Sequence, residues 1–433
     1  MISLIIKPRL EIIILIFLTI FSFIVRIINL NFPNHLMYDE IYRVARAQKF
    51  LSHEVFFTAQ PHFTRYLIIL GILLFGDNPI GWRITQVVTG TLIIPMFYLI
   101  GKRLFKHKHA GLLSAFFITF SPSLLAYSRV GIATIHQIFF IVFSLLLFIL
   151  ATESKNNSRI LFYFLSAITT GLAIATKWTS LFLIPVFWLW LKTRENIKSI
   201  TMGKIFFNVV FLLLVLCTYT ITFAGEGENF NYLHQKFNTP NSNFVEGFVS
   251  WHKLAFTAHA KKNTYHPCSS KWYTWPLLYK PVLIYMKVDT INNKVTTILG
   301  IGNPIIRWCG TLAILFQLFL LLFMKDARKD KIIIFLLGAY FISFLPYAFI
   351  KRPMFLYHYL PSLLFQVLIL EYTFINLYKK IQYFRPIFWT LLILMVTVFF
   401  YFYPLVNGYP ISITEYNNKL WFKSWKEYKL TKT

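Results

Sequence analysis

Carboxylates are the scarcest charged groups in this sequence: 16 Asp and Glu residues stand against 43 Lys and Arg residues, a formal net charge of +27. Cysteine is rarer still, and the three present, Cys217, Cys268 and Cys309, have no metal-ligand spacing. Two of them fall in apolar segments, which argues against a disulfide framework. Charged residues of both signs make up only 14% of the chain, too few to coat a soluble protein of this length. A basic arm, a low-complexity tract, a Gly/Ser linker and an internal repeat are all missing. The cations are scattered through short loops between apolar runs, so their excess does not mark a nucleic-acid binder.

What fills the chain instead is apolar and aromatic. Hydrophobic residues account for 57% and aromatic ones for 19%, and mean hydropathy is +0.60. Apolar runs of about 18 residues or more, enough to cross roughly 30 Å of hydrocarbon, recur throughout. The first, Leu10 to Leu30, carries Arg26 near its outer end and lacks a small-residue cleavage pattern, so it reads as an uncleaved helix. Spans are expected near 10–30, 82–101, 110–127, 133–151, 160–176, 179–191, 205–224, 304–324, 332–350, 357–377 and 386–403, about eleven helices. The expected fold class is an all-α polytopic membrane protein, a single embedded domain over residues 1–433. The stretch Tyr66 to Phe75 is too short to span and reads as an interfacial helix.

Charge then sets the orientation. One alternating set of loops holds Lys7 and Arg9, then Lys102, Arg103, Lys106 and Lys108, then Lys155 and Arg159. It continues with Lys192, Arg194, Lys198 and Lys204, then Lys325, Arg328, Lys329 and Lys331, then Lys379, Lys380 and Arg385. The positive-inside rule makes this set cytoplasmic, with the N-terminus inside and the C-terminus outside. The opposite side receives a first loop (31–81), a large loop (225–303) and a tail rich in Trp, Tyr and Lys (404–433) suited to the headgroup region. Long loops of this kind usually carry function.

In so acid-poor a chain, the adjacent Asp39 and Glu40 stand out. A carboxylate there could act as general base on a hydroxyl, or the pair could hold Mg²⁺ or Mn²⁺; the pair equally suits a solvated helix N-terminus. Arg65 could reach a lipid phosphate at headgroup depth or simply snorkel. Ser128-Arg129, Lys177-Trp178 and Lys351-Arg352 place cations on the outer side against the trend, where each needs an anion or serves as an interfacial anchor. Tyr357-His358-Tyr359 stands at the mouth of the tenth span, whereas His136 reads as a core histidine. The run from His266 to Pro276, with Trp272 and Trp275, could wall an acceptor groove or anchor at the interface. No second ligand stands at metal spacing beside His266.

Together these strips resemble the protein O-mannosyltransferase family, membrane glycosyltransferases that use polyprenyl-phosphate mannose. Asp39-Glu40 matches the family's first-loop acidic motif, and Gly81-Trp82-Arg83 through Gly101-Lys102-Arg103-Leu104 is similar to its second helix. Ser128-Arg129 resembles its Ser-Arg corner and Ala175-Thr176-Lys177-Trp178-Thr179 its Thr-Lys-Trp strip. His266 to Pro281, Gly302-Asn303-Pro304, Phe355 through Pro361, and Tyr403-Pro404-Leu405 with Gly408-Tyr409-Pro410 match further strips in the same order. The likeness runs over almost the whole chain. There are departures: the family's His-Pro-Pro-Leu-Gly-Lys strip is Gln60-Pro61-His62-Phe63-Thr64-Arg65, and an Asp beyond the Ser-Arg corner is Thr134.

The resemblance implies a GT-C-type glycosyltransferase fold and inverting transfer of a sugar, mannose, from a polyprenyl-phosphate donor to Ser/Thr hydroxyls of secreted proteins. Carried over, Asp39 is the catalytic base and Glu40 its acceptor-positioning neighbour. Arg129 lies near the donor phosphate, with Arg65 and Arg352 as further phosphate-binding cations. Tyr357, His358, His266, Trp275 and Lys177 line the donor and acceptor pocket. No cofactor is required, although a divalent cation (Mg or Mn) is compatible. The implied partners are the lipid-linked donor, a protein acceptor, membrane lipids and, as an option, a second copy in a dimer. Low glycine, abundant Lys, Asn and Ile, and a large loop too short for the eukaryotic members' β-trefoil suit a prokaryotic source. The expected location is therefore a bacterial plasma membrane with the site on its outer face. Two alternatives are transfer of another sugar such as aminoarabinose to a lipid or glycan, and transport or flipping of polyprenyl-linked sugars. The latter calls for inverted repeats and broken helices that the sequence does not display.

Overall fold

A computed structural model describes residues 8–107, 109–194, 202–240, 243–260 and 266–426. Lys7, Lys108, Lys198 and the end of the tail (427–433) lie outside the described residues. The chain runs α1 (Pro8–Ile27), α2 (Glu40–Leu51), α3 (Phe63–Phe75), α4 (Pro79–Phe105), α5 (Ala110–Thr119), α6 (Pro122–Tyr127), α7 (Ala133–Glu153) and α8 (Asn156–Thr176). It continues through α9 (Leu183–Arg194), α10 (Met202–Ile221), α11 (Gly227–Phe237), α12 (Phe244–Ala260), β1 (Val282–Asp289) and β2 (Lys294–Gly300). The remainder is α13 (Pro304–Phe323), α14 (Lys331–Phe344), α15 (Leu360–Lys380), α16 (Phe384–Asn407), β3 (Pro410–Ser412) and α17 (Ile413–Lys419).

Among the described residues, eight helices are long and apolar enough to cross a membrane, against the eleven spans expected. All eleven stretches are largely helical, and the difference lies in three that are broken or short. The run 110–127 divides at Ser121-Pro122 into α5 and α6, because proline has no N–H to continue the ladder and favours a helix start. The run 179–191 opens as a 3-10 turn (Trp178–Phe182) before α9, with Pro185 inside the first α-helical turn. In α10 the segment Asn208–Ile221 is apolar but, taken over the described residues, shorter than a full span. The short apolar run read from Tyr66 is the 13-residue α3.

The fold is helical with one addition: an antiparallel sheet in the order β1-β2-β3 beside the large loop. Its β-branched residues Val282, Ile284, Val288, Val295, Thr296 and Thr297 favour the pleat, and Asn293, at φ 51°, closes the hairpin. Pairing of Val295 with Ile411 brings the C-terminal tail onto this sheet.

The two sets of loops gather at opposite ends of the bundle. At one end Lys102 meets Glu11 (3.6 Å) and Arg103 meets Glu153 (2.7 Å). Trp190 Nε1 donates to Thr152 (3.0 Å), and Tyr372 donates to Asp330. These contacts collect the ends that adjoin the basic loops. At the other end Asn29 Nδ2 donates to the Asn407 carbonyl (3.0 Å) and Gly408 N to the Thr297 carbonyl (3.1 Å). Both long loops lie there.

What positions the acidic motif is the amphipathic pattern of α2. Glu40, Val44 and Ala47, spaced i, i+4 and i+7, are all fully buried. Val44 and Ala47 pack with Ile68, Ile69, Ile72 and Trp82 of α3 and α4. The Glu40 carboxylate forms a bidentate ion pair with Arg83, whose Nε and Nη2 each donate at 2.8 Å. It also accepts from Gly131 N (2.7 Å) and Met37 N (3.1 Å). Both side chains are 0% exposed. Losing one partner of such a pair strands a charge in the interior, a cost of about 3–5 kcal/mol. Arg83→Leu should accordingly lower the thermal unfolding midpoint in detergent strongly, whereas Arg83→Leu combined with Glu40→Gln should recover part of that loss; equal midpoints for wild type and Arg83→Leu would refute the clamp.

Candidate active site

Asp39 and Glu40 are neighbours with opposite environments. Asp39 stands at the N-cap of α2, yet its side chain makes no capping hydrogen bond, nor any with the described residues. Only its backbone carbonyl is engaged, by Tyr42 N (3.1 Å) and Arg43 N (3.0 Å). The preceding Tyr38 occupies the left-handed region (φ 52°), a conformation that costs a bulky residue of order 1–3 kcal/mol and clusters at functional sites. Its hydroxyl is hydrogen-bonded to Tyr357. Asp39 is thus a free carboxylate at the end of a rigid helix.

Around it stand cations without a carboxylate partner among the described residues. Arg43 and Arg46 follow Asp39 at i+4 and i+7, on the face of α2 adjacent to the buried stripe. Burial chiefly, then Arg46, lowers the Arg43 guanidinium to about 10, while Asp39 and Tyr357 oppose the shift. Arg46 is held by Thr58, Nη1 to Oγ1 at 2.8 Å. Lys177, between α8 and the Trp178 turn, lies with Nζ 4.7 Å from the Tyr357 ring centre. Burial first, then Arg43 and Arg352, lowers its ammonium to about 7, with Asp39 opposing. Arg352 donates Nη1 to His259 Nδ1 (2.7 Å). Arg43 and Arg352 both disfavour the charge on Lys177, so the cluster suits an anion.

The other expected site residues fall in three groups. Tyr357 and His358 are in the cleft wall, their rings stacked at 4.4 Å. Trp275 is 1% exposed, so it belongs to the core behind that wall, where it stacks on His358 (6.0 Å) and donates to Ser270 (3.0 Å). His266 is exposed, with its ring against Phe355 (4.9 Å) and Nδ1 accepting from Cys268 N (3.1 Å). His136 is a fully buried core residue.

Two arginines expected at the phosphate have protein partners. Arg129 is buried, and its guanidinium donates to the carbonyls of Arg26 (2.6 Å), Ile28 (2.5 Å) and Asn29 (2.8 Å). That is a cation closing the C-terminal end of α1, where orphan carbonyls and the helix dipole favour positive charge. Arg65 is buried in an ion pair with Glu226, beneath the rings of Phe50 (4.5 Å) and Tyr66 (5.0 Å). It ties the first loop to the large loop. Glu226, Arg43, Arg46 and His259 carried no motif. For Arg43 and Arg46 the helical spacing from Asp39 was the available signal; for the Arg65–Glu226 pair, 161 residues apart, there was none.

A divalent cation does not suit this donor set. Glu40's oxygens are taken by Arg83, Gly131 and Met37, so the adjacent carboxylates do not converge on one ion. Among the described residues no three His, Cys, Asp or Glu side chains come together.

A polytopic bundle with a cluster of cations at one end, drawn from its loops around one free carboxylate, fits the GT-C class of membrane glycosyltransferases. The solved Saccharomyces cerevisiae protein O-mannosyltransferase Pmt1–Pmt2 complex bound to the sugar donor superposes with a TM-score of 0.83 at 15% identity, over 96% of this chain and 92% of that one. ArnT from Cupriavidus metallidurans in the apo state shares the fold more distantly, with a TM-score of 0.58 at 13% identity, over 83% of this chain and 59% of that one. Sequence models described as dolichyl-phosphate-mannose-protein mannosyltransferase match residues 16–82 and 59–221. The model of the C-terminal four-transmembrane region of protein-O-mannosyltransferase matches 244–425. The polyprenol-phosphate-mannose–protein mannosyltransferase of Mycolicibacterium smegmatis is 22% identical over 94% of this chain and 92% of its own length. That of Corynebacterium glutamicum is 23% identical over 84% and 81%. The chain belongs to the protein O-mannosyltransferase family, and is a multi-pass membrane glycosyltransferase.

The lowered ammonium of Lys177 has a direct readout. An amine titrating near 7 is largely neutral and nucleophilic at pH 8, so pulse acetylation of the protein followed by mass spectrometry should label Lys177 with a rate that rises through about pH 7. A rate still climbing towards pH 10, as for an ordinary lysine, would contradict the cationic cleft.

Proposed function

We propose that this chain transfers mannose from a polyprenyl-phosphate mannose to Ser or Thr hydroxyls of secreted polypeptides, with inversion, at the outer face of a bacterial plasma membrane. The observation that carries the chemistry is the free Asp39 carboxylate beside Arg43, Lys177 and Arg352. The donor and acceptor follow from the names of the relatives, and the orientation from the basic loops gathered at the other end of the bundle.

The reaction is a single displacement. Asp39 takes the acceptor hydroxyl's proton as its oxygen bonds to the sugar's anomeric carbon. The bond from that carbon to the phosphate oxygen breaks, and polyprenyl phosphate departs with the electron pair. Charge develops on the sugar as an oxocarbenium-like centre and on the leaving phosphate. Arg43, Lys177 and Arg352 stabilise the phosphate charge in a cleft poor in water, where fixed cations act most strongly. One base and one leaving-group clamp suffice for inversion, and Glu40 serves as the residue that positions Asp39.

Loss of a positioned base costs roughly 10²–10⁴-fold in turnover. Asp39→Asn should therefore lose mannose transfer to a Ser/Thr-rich peptide on that scale while still retaining radiolabelled donor. Full activity in Asp39→Asn would remove Asp39 from the role of base. Label recovered in lipid extract instead of peptide would turn the reading towards a lipid acceptor. Transfer should also be unchanged by a chelator, since the carboxylates do not form a metal cage; activity restored only by added Mg²⁺ or Mn²⁺ would contradict this.

A further inference from the structure

His259 joins three separate parts of the described structure, and two of its contacts define which ring nitrogen donates. It lies in the last turn of α12, in the large loop. Its Nε2 is 2.7 Å from the carbonyl oxygen of Ala59 in the first loop. Its Nδ1 is 2.7 Å from Arg352 Nη1, in the segment before the tenth expected span. A carbonyl can only accept and a guanidinium can only donate, so Nε2 carries the proton and Nδ1 offers a lone pair. Both contacts select the same neutral tautomer. The ring meets Trp178 edge-on, with centroids 5.8 Å apart, next to Lys177. On another side of that indole His252 lies stacked at 6.0 Å.

We propose that His259 is the positioning residue for Arg352: its Nδ1 lone pair holds the guanidinium beside Lys177, aimed at the phosphate of the lipid-linked donor. This rests on the functional reading above and goes beyond it, because it assigns a residue of the large loop to donor binding. An arginine side chain has many rotamers, and freezing one before the ligand arrives removes an entropic cost from binding. Lys177 and Arg43 repel Arg352, so without an acceptor on its far side the guanidinium would swing towards solvent. The histidine supplies that acceptor without adding a negative charge that would compete with the phosphate. The first loop, through Ala59, fixes the ring's other edge, so closure of the two loops on one another and orientation of Arg352 are a single event.

Amide replacements separate this role from a plain tether between loops. Asparagine places an acceptor oxygen where Nδ1 stands and abandons Ala59; glutamine reaches the Nε2 position and abandons Arg352. Steady-state transfer in detergent, with polyprenyl-phosphate mannose varied and acceptor peptide saturating, reads the difference. His259→Phe, which keeps a ring against Trp178, should raise the donor KM about tenfold and lower kcat as well, because Arg352 also stabilises the departing phosphate. His259→Asn should restore a donor KM within about twofold of wild type, and His259→Gln should not. In an Arg352→Ala background His259→Phe should add nothing further. Rescue by Gln instead of Asn, or additive effects with Arg352→Ala, would overturn the assignment and leave His259 a tether. Wild-type turnover with an unaltered donor KM in all three variants would overturn this inference alone. A wild-type protein that transfers no mannose would overturn the functional reading and this inference with it.

Discussion

The buried ion pair between Glu40 and Arg83 is the constraint on which the site depends. Two fully buried charges inside an apolar bundle are stable only because the carboxylate takes two hydrogen bonds from the guanidinium and two more from the backbone at Gly131 and Met37. Those contacts fix the first turn of α2 against α4 and the turn before α7. Asp39, one residue earlier, is then carried on a rigid frame at the N-cap of α2. The division of labour follows from helix geometry. One stripe of α2 (Glu40, Val44, Ala47) is anchored in the bundle, and the other (Asp39, Arg43, Arg46) faces the cleft.

The rest of the cleft is closed by the loops. Arg65 and Glu226 join the first loop to the large one under a lid of aromatic rings, and His259 joins both to the segment carrying Arg352. Cations that lower one another's charge state are unfavourable in the empty protein and become favourable when an anion enters. That arrangement suits a substrate whose leaving group is a phosphate. Apart from Asp39, the described carboxylates nearest these cations, Glu40 and Glu226, are already paired.

Much of this was legible in the sequence. Hydropathy gave the bundle, and the alternation of basic loops corresponds to two physical ends. The acidic motif, with the matching strips, pointed to the family. Composition and spacing did not distinguish adjacent Asp39 and Glu40, and only the resemblance gave them different roles, since they differ in the face each presents. Once residues 40–51 are seen as a helix, the i, i+4, i+7 spacing separates them and reveals Arg43. The protein partners of Arg129 and Arg65 were not legible: in sequence a lone outer cation looks the same whether it binds a lipid phosphate, caps a helix or pairs with a distant glutamate. Glu226 and His259 depend on contacts across 161 and 200 residues, which leave no local pattern. The small sheet was hidden in a loop where its β-branched runs are short.

The central claim is that one free carboxylate works with Arg43, Lys177 and Arg352, while Glu40 and Arg129 serve the scaffold. A cryo-electron microscopy structure of Asp39→Asn with polyprenyl-phosphate mannose bound tests it most directly. The account predicts the phosphate against Arg43, Lys177 and Arg352, with residue 39 facing the anomeric carbon and the Glu40–Arg83 pair intact. A phosphate seated on Arg129, with Arg43 and Arg352 turned away, would contradict it.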